Sequence, residues 1–141
     1  MRDEVLLDAS VVADWLFPGP RLELTLAFVR PELRKIAPDL IFVEFISVAA
    51  KAVRRGLVSE TIAWEAVERL PALIDDVAPL GDLALPAYAL ATRHGFSTYD
   101  GVYLALALRR NRPLVTADAK LARRAIEVGL AGHIRLVSPE S

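Results

Sequence analysis

Two short apolar runs constrain this chain most, because each ends in an aspartate just where helical spacing begins. They are "EVLLD" at residues 4–8 and "RPLVTAD" at residues 112–118. Apolar runs this short suit buried strands. The segments that follow, "ASVVADWLF" and "AKLARRAIEVG", repeat their apolar residues at helical intervals. A strand that passes directly into a helix, and does so repeatedly, implies an α/β fold. The expected architecture is a central, mostly parallel twisted sheet flanked by helices.

The rest of the chain extends the alternation. Pro18, Gly19 and Pro20 should end the first helix. Residues 21–30 suit a second helix, with Pro31 as a break or a new first turn. "KIAP" is a short strand candidate. "DLIFVEFISVAAKAVRRG" predicts a long helix from an Asp39 N-cap to Gly56, apolar nearly all round and therefore buried. Ser59 caps the next helix, which Pro71 bends or ends. "DVAPL" is a further strand, residues 82–94 a helix closed by His94 and Gly95, and the run after Asp100 another helix. Gly129 lies beyond the end of the helix after Asp118, and "IRLVS" is a last strand. No internal repeat or interdomain linker is visible, so residues 1–141 are expected to form one domain.

Composition narrows the function. Hydrophobic residues make up 54% and charged residues 25%, enough for a real core and too ordered a balance for a disordered chain. With no cysteine there is neither a disulfide framework nor a thiolate metal site. The net charge of −1 gives no global attraction to nucleic acid. Basic residues do cluster: Arg54 and Arg55; Arg109, Arg110 and Arg112; Lys120, Arg123 and Arg124. Such clusters read first as solvated helix ends. Arginine far outnumbers lysine and Asn111 is the only side-chain amide, which suits a heat-adapted source or a GC-rich genome alike. Asp8 and Asp14 interrupt any signal-peptide core, and no apolar run approaches the ~18 residues of a membrane span. A cytoplasmic location is expected.

Four acidic residues stand out. Asp8 and Asp118 end strands, Asp100 opens an apolar helix, and Glu44 sits between Val43 and Phe45 in the most apolar helix. Asp8 and Asp118 also fit N-caps, and Ser97-Thr98-Tyr99-Asp100 fits a capping box with Asp in place of Glu. Glu44 has no capping role, and burying it unpaired is costly. It either faces a site or follows a solvent stripe with Lys51 and Arg55. In a parallel sheet, ligands bind beyond the carboxyl ends of the strands. Asp8 and Asp118 share that edge, and the first turn of the Asp100 helix suits it too. Close carboxylates repel unless protonated or bound to a cation, and all-oxygen ligation favours Mg²⁺ or Mn²⁺. Such ions activate water for attack on a phosphodiester. Rival chemistries lack their residues. His94 and His133 have no ligand spacing, and His94 suits a helix C-terminus. No Gly-x-Ser-x-Gly, P-loop or Gly-x-Gly-x-x-Gly occurs.

"LLDASVVADWL", "APDLIFVEFISVAAKAVRRGLVS" and "GFSTYDGVYLALALRRNRPLVTADAKLARRA", in that order, resemble the PIN domain, and most closely the small VapC-type toxins of toxin–antitoxin pairs. The resemblance covers nearly the whole chain and is thinnest over residues 56–90. It implies an endoribonuclease that uses Mg²⁺ or Mn²⁺. It assigns Asp8, Asp100 and Asp118 as metal ligands, with Glu44 completing the pocket and holding or orienting water. Ser10 and Thr116 match hydroxyl positions beside the acidic residues. Ser47 stands where relatives often carry Asn, three residues after the glutamate, so the surroundings of the pocket depart from the family pattern. The resemblance further implies an RNA substrate, a homodimer, and a cognate antitoxin that blocks the pocket with a basic side chain. Trp15, Trp64, Tyr88, Tyr99 and Tyr103 suit such surfaces or the core. Two other readings stay open: a PIN nuclease of RNA processing or DNA structures without an antitoxin, and a catalytically silent module that binds RNA or protein.

Overall fold

The computed structural model describes residues 3–17, 19 and 21–137. The chain forms β1 (Asp3–Leu7), α1 (Ala9–Leu16), α2 (Leu22–Leu26), β2 (Leu33–Pro38), α3 (Leu40–Arg54) and α4 (Glu60–Leu73). It continues with β3 (Asp76–Ala78), α5 (Leu80–His94), α6 (Thr98–Arg110), β4 (Leu114–Thr116), α7 (Ala119–Glu127) and β5 (Ile134–Leu136). A single 3₁₀ turn over Ala131–His133, which the sequence pattern did not suggest, precedes β5.

The five strands lie in the order β3-β2-β1-β4-β5, and every pair is parallel. The expected α/β architecture is what the chain adopts. Strand side chains alternate between faces, so a sheet covered on both sides needs apolar residues at nearly every position. Leu6, Ile36, Leu114 and Ile134 pack under α5, α6 and α7. Val5, Leu7, Ala37 and Val115 pack under α1, α3 and α4. Phe45 of α3 is fully buried there and stacks on Phe17, with ring centroids 5.6 Å apart.

Local chemistry fixes the helix ends. Ser59 Oγ accepts from Ile62 N–H, and Ser97 Oγ accepts from Asp100 N–H, both at 3.1 Å. At the other ends, Gly95 (φ 71°) and Asn111 (φ 51°) take the left-handed conformation. Asn tolerates that conformation better than most side chains, which accounts for the single amide.

Several expectations need correction. Asp39 does not cap α3; its carboxylate accepts from Leu80 N–H at 3.2 Å, at the start of α5. A contact across the fold has replaced a local one. Helix α2 stops at Leu26, well short of residue 30, because Phe28 N–H and the Trp15 indole both bond the Thr25 carbonyl and turn the chain inward. Helix α3 is not buried all round: Ile41, Phe45 and Ala49 are, but Val43 is 65% and Ile46 49% exposed. Pro71 lies within the last turn of α4 without ending it, and α5 begins at Leu80, two residues early. Observed strands are longer than "KIAP" and shorter than "RPLVTAD" and "DVAPL". The expected stops at Pro18 and Pro20, and the end of "IRLVS" at Ser138, lie outside the described residues.

The basic clusters also prove heterogeneous. Arg110 and Arg34 share Glu4 and Asp76 in a ring of four ion pairs, 2.8–3.1 Å long, at the amino ends of the strands. Arg109 donates to Asp82 O, and Arg124 donates to His94 O and lies over the Phe96 ring. Of the clustered residues, Arg109, Arg110 and Arg124 are therefore structural rather than simply solvated.

Helices α5 and α6 cross closely at Gly101. A Cβ there would stand 2.8 Å from the Ala87 carbonyl oxygen, whereas one at Gly81 would meet nothing within 4 Å. Gly101→Ala should therefore cost about 1–3 kcal/mol in urea unfolding despite the better helix propensity of alanine. Gly81→Ala should change stability by no more than about 1 kcal/mol. Equal stability of Gly101→Ala and the parent would contradict the close crossing.

Candidate active site

Strand β1 is followed in sequence by β2 on one side but pairs with β4 on the other. Between β1 and β4 the strand order reverses, and the chain leaves in opposite directions, opening a crevice at the carboxyl edge. Asp8 follows β1 there and Asp118 follows β4. Helix α6 contributes Asp100 from its first turn, and α3 contributes Glu44. All four line one cavity of about 460 Å³, with Ser10, Ser47, Lys51, Tyr99 and Tyr103 among the other walls.

Asp8 is the most buried of the four at 8% exposure. Its Oδ1 accepts from Ser10 N–H at 2.6 Å and from the Ser10 hydroxyl, and its Oδ2 accepts from the Thr116 hydroxyl at 2.5 Å. The same hydroxyls reach on: Ser10 Oγ accepts from Ala117 N–H and Thr116 Oγ1 from Asp118 N–H, both at 3.0 Å. Each hydroxyl thus donates to Asp8 and accepts from the loop after β4. This explains why small hydroxyl residues flank the two aspartates: both roles are needed at once, and neither alanine nor valine supplies them.

Capping and site-building are not alternatives here. Asp8 caps α1, and Asp118 caps α7 by accepting from Lys120 and Leu121 N–H at 3.0 and 3.1 Å, while both line the cavity. Asp100 is not the cap of its helix; Ser97 is. Glu44 is half-buried, and its stripe runs through Ser47 and Lys51 along the cavity wall without Arg55.

The electrostatics tie the four together. Burial is the main cause that raises the Asp8, Glu44 and Asp100 carboxyls above the ordinary range, offset in part by hydrogen bonds. Repulsion adds to it: Asp118 acts on Asp8, Asp8 and Asp100 on Glu44, and Asp118 and Asp8 on Asp100. Of two larger cavities, the one between α5 and α6 is lined by no carboxylate and the one between α3 and α4 by Glu60 and Glu68 alone. Volume does not select the site; shared charge does.

Among the described residues, no group of three acidic or histidine side chains is drawn tightly enough to hold an ion as it stands. The donor chemistry nevertheless fits a hard divalent cation. Every candidate ligand is a carboxylate oxygen, and Glu44 Oε1 is buried with no hydrogen-bond partner. In the sequence Tyr103 reads only as a core or surface aromatic; Ser47 is marked beside the pocket by the resemblance, and Lys51 enters only as part of a solvent stripe with Glu44. The available signal was helical spacing: Tyr103 is three residues after Asp100, and Ser47 and Lys51 are three and seven after Glu44.

Comparison with known proteins agrees with this fold. The family profile described as "PIN domain" matches residues 5–127. Ribonuclease VapC1 of Mycobacterium tuberculosis is 34% identical over 135 residues, covering 96% of this chain and 98% of that protein. The crystal structure of PAE2754 from Pyrobaculum aerophilum superposes with a TM-score of 0.67 at 21% identity, over 88% of this chain and 86% of that one. A toxin-antitoxin complex from Klebsiella pneumoniae contains a chain with a TM-score of 0.62 at 18% identity, over 96% of this chain and 97% of that one.

The raised carboxyls fix the sign of a pH effect. The folded, metal-free protein holds these protons more tightly than the unfolded chain. The stability so gained is full below the ordinary carboxylate range and is lost as pH rises through the raised folded values. Asp100→Asn removes one of the repelling charges. In chelator it should melt higher than the parent near about pH 7, with the difference shrinking toward about pH 4. A difference that does not vary with pH in thermal melts would contradict the shared electrostatics.

Proposed function

The chain belongs to the PIN domain family, and on that premise we propose that it is an Mg²⁺- or Mn²⁺-dependent endoribonuclease, the toxin of a VapC-type toxin–antitoxin pair. The observation that carries this reading is the set of four carboxylates that line one cavity at the carboxyl edge of the sheet, where its strand order reverses. Residues 1–141 would act as one nuclease domain.

Asp8, Asp100 and Asp118 would hold the cation, with Glu44 beside them. The cation, when bound, lowers the pKa of a water and offsets the charge that builds on the phosphate. Ser10 and Thr116 keep the Asp8 oxygens oriented so that the ligand geometry does not have to be assembled on binding. Glu44 holds or orients the water for attack. The water oxygen would bond to phosphorus and release a proton to solvent as the bond to the leaving ribose oxygen breaks, and that oxygen would take up a proton from solvent, so that one water is consumed overall. Lys51 lines the same cavity and suits an anionic backbone. Of the basic clusters, Arg54, Arg55, Arg112, Lys120 and Arg123 are better placed to hold RNA than the three arginines tied into the fold.

A cognate antitoxin would insert a basic side chain among the carboxylates, which suits an excess of unneutralised negative charge. The relative named ribonuclease VapC1 and the toxin-antitoxin complex among the structural neighbours support that partner. A homodimer and a cytoplasmic site of action complete the reading. Among the described residues, no helix is long and apolar enough to cross a membrane.

Purified protein should cleave RNA with added Mg²⁺ or Mn²⁺ and stop on chelation. Asp100→Asn should lose more than ~100-fold of that rate while its circular dichroism and melting show an intact fold. Full activity in a clean preparation of this variant would refute the site. A folded protein that binds RNA and cleaves none with either metal would instead indicate the silent module.

A further inference from the structure

Three of the four carboxylates are anchored. Asp8 is held by Ser10 and Thr116, Asp118 by the first turn of α7, and Asp100 is a short side chain beside Ser97. Glu44 is the exception. It has the longest side chain of the set, sits in mid-helix, and its Oε1 is buried without a hydrogen-bond partner. A free terminal torsion in a glutamate is broad and easily turned. Something must restrain this carboxylate if it is to orient a water.

Facing it is Tyr103. The residue is only 3% exposed, its ring belongs to the core beneath α5 and α7, and it also lines the acidic cavity. Its hydroxyl is the other buried side-chain atom without a hydrogen-bond partner among the described residues. The two groups lie close enough to act on one another electrostatically, although these two atoms make no hydrogen bond in the structure. Buried polar groups are nearly always paired, so two unpaired ones in one cavity call for a common explanation. Phenylalanine would fill the same core volume with no polar atom to satisfy.

We propose that Tyr103 is a positioning residue: its hydroxyl donates to Glu44 and holds that carboxylate in the orientation that receives the water. The inference rests on the nuclease reading and extends it to a residue outside the acidic set. Burial and the neighbouring Glu44 charge push the phenol far above its ordinary pKa, so it stays protonated and able to donate.

Tyr103→Phe removes one oxygen and tests this. The variant should still fold, because phenylalanine fills the same core volume, and should melt modestly lower than the parent, because the bond from the hydroxyl to Glu44 is lost. Its kcat on RNA should fall about 10-fold with KM unchanged. In a Glu44→Ala background the same change should have no further effect, because the group it positions is gone. An unchanged kcat, or an equal loss with and without Glu44, would overturn the proposal. Crystal structures of the metal-free proteins give a readout independent of activity. One Glu44 conformer bonded to the Tyr103 hydroxyl in the parent, dispersed in Tyr103→Phe, supports the role even if no RNA is cleaved. The same Glu44 conformation in both proteins refutes it.

Discussion

The arrangement depends on one buried carboxylate. Asp8 ends the central strand, where exposure to water is nearly gone, and an unpaired charge there would be strongly destabilising. Two hydroxyls and a backbone N–H satisfy it. Because those hydroxyls also accept from the backbone after β4, the bonds that stabilise Asp8 fix the loop that carries Asp118. Burying one aspartate therefore sets the position of a second. The two strand ends at the reversal of sheet order are joined by the very side chains that define the site.

Charge is distributed unequally along the sheet. At the amino ends of the strands, Glu4 and Asp76 are each paired with both Arg34 and Arg110. At the carboxyl ends, Asp8, Glu44, Asp100 and Asp118 repel one another, and Lys51 is the basic residue that shares their cavity. A fold selected for stability alone gains nothing from the second arrangement. Under the proposed function it is a site that waits for a cation, and for a partner's basic group when activity must be suppressed.

Much of this was legible in the sequence because it depended on local chemistry. Asp8 and Asp118 stand between a strand and a helix, and that placement alone puts them on one edge. Thr116 and Ser10 lie within two residues of those aspartates, and it is the family resemblance that marks them as the hydroxyls beside the pocket. Long-range geometry was less legible. Asp39 reads as a local cap, and only the folded chain brings Leu80 N–H within its reach. Helix α3 reads as buried because hydropathy does not distinguish a core face from an exposed apolar face, and Val43 and Ile46 lie on the latter. Tyr103 sits in an apolar run and reads as packing, since the significance of its hydroxyl depends on Glu44, fifty-nine positions away in sequence. The arginines divide in the same way: Arg110 is indistinguishable from its neighbours until Glu4 and Asp76 are placed beside it.

On the proposed function, carboxylates that cap helices, line the cavity and repel one another also bind a divalent cation. Calorimetric titration of metal-free protein with Mn²⁺, alongside Asp8→Asn and Asp100→Asn, tests it most directly. Saturable binding by the parent, lost in both variants, is the predicted result. No binding by the folded parent up to ~1 mM Mn²⁺, an affinity of only about −4 kcal/mol, would contradict the account and return these residues to capping and packing.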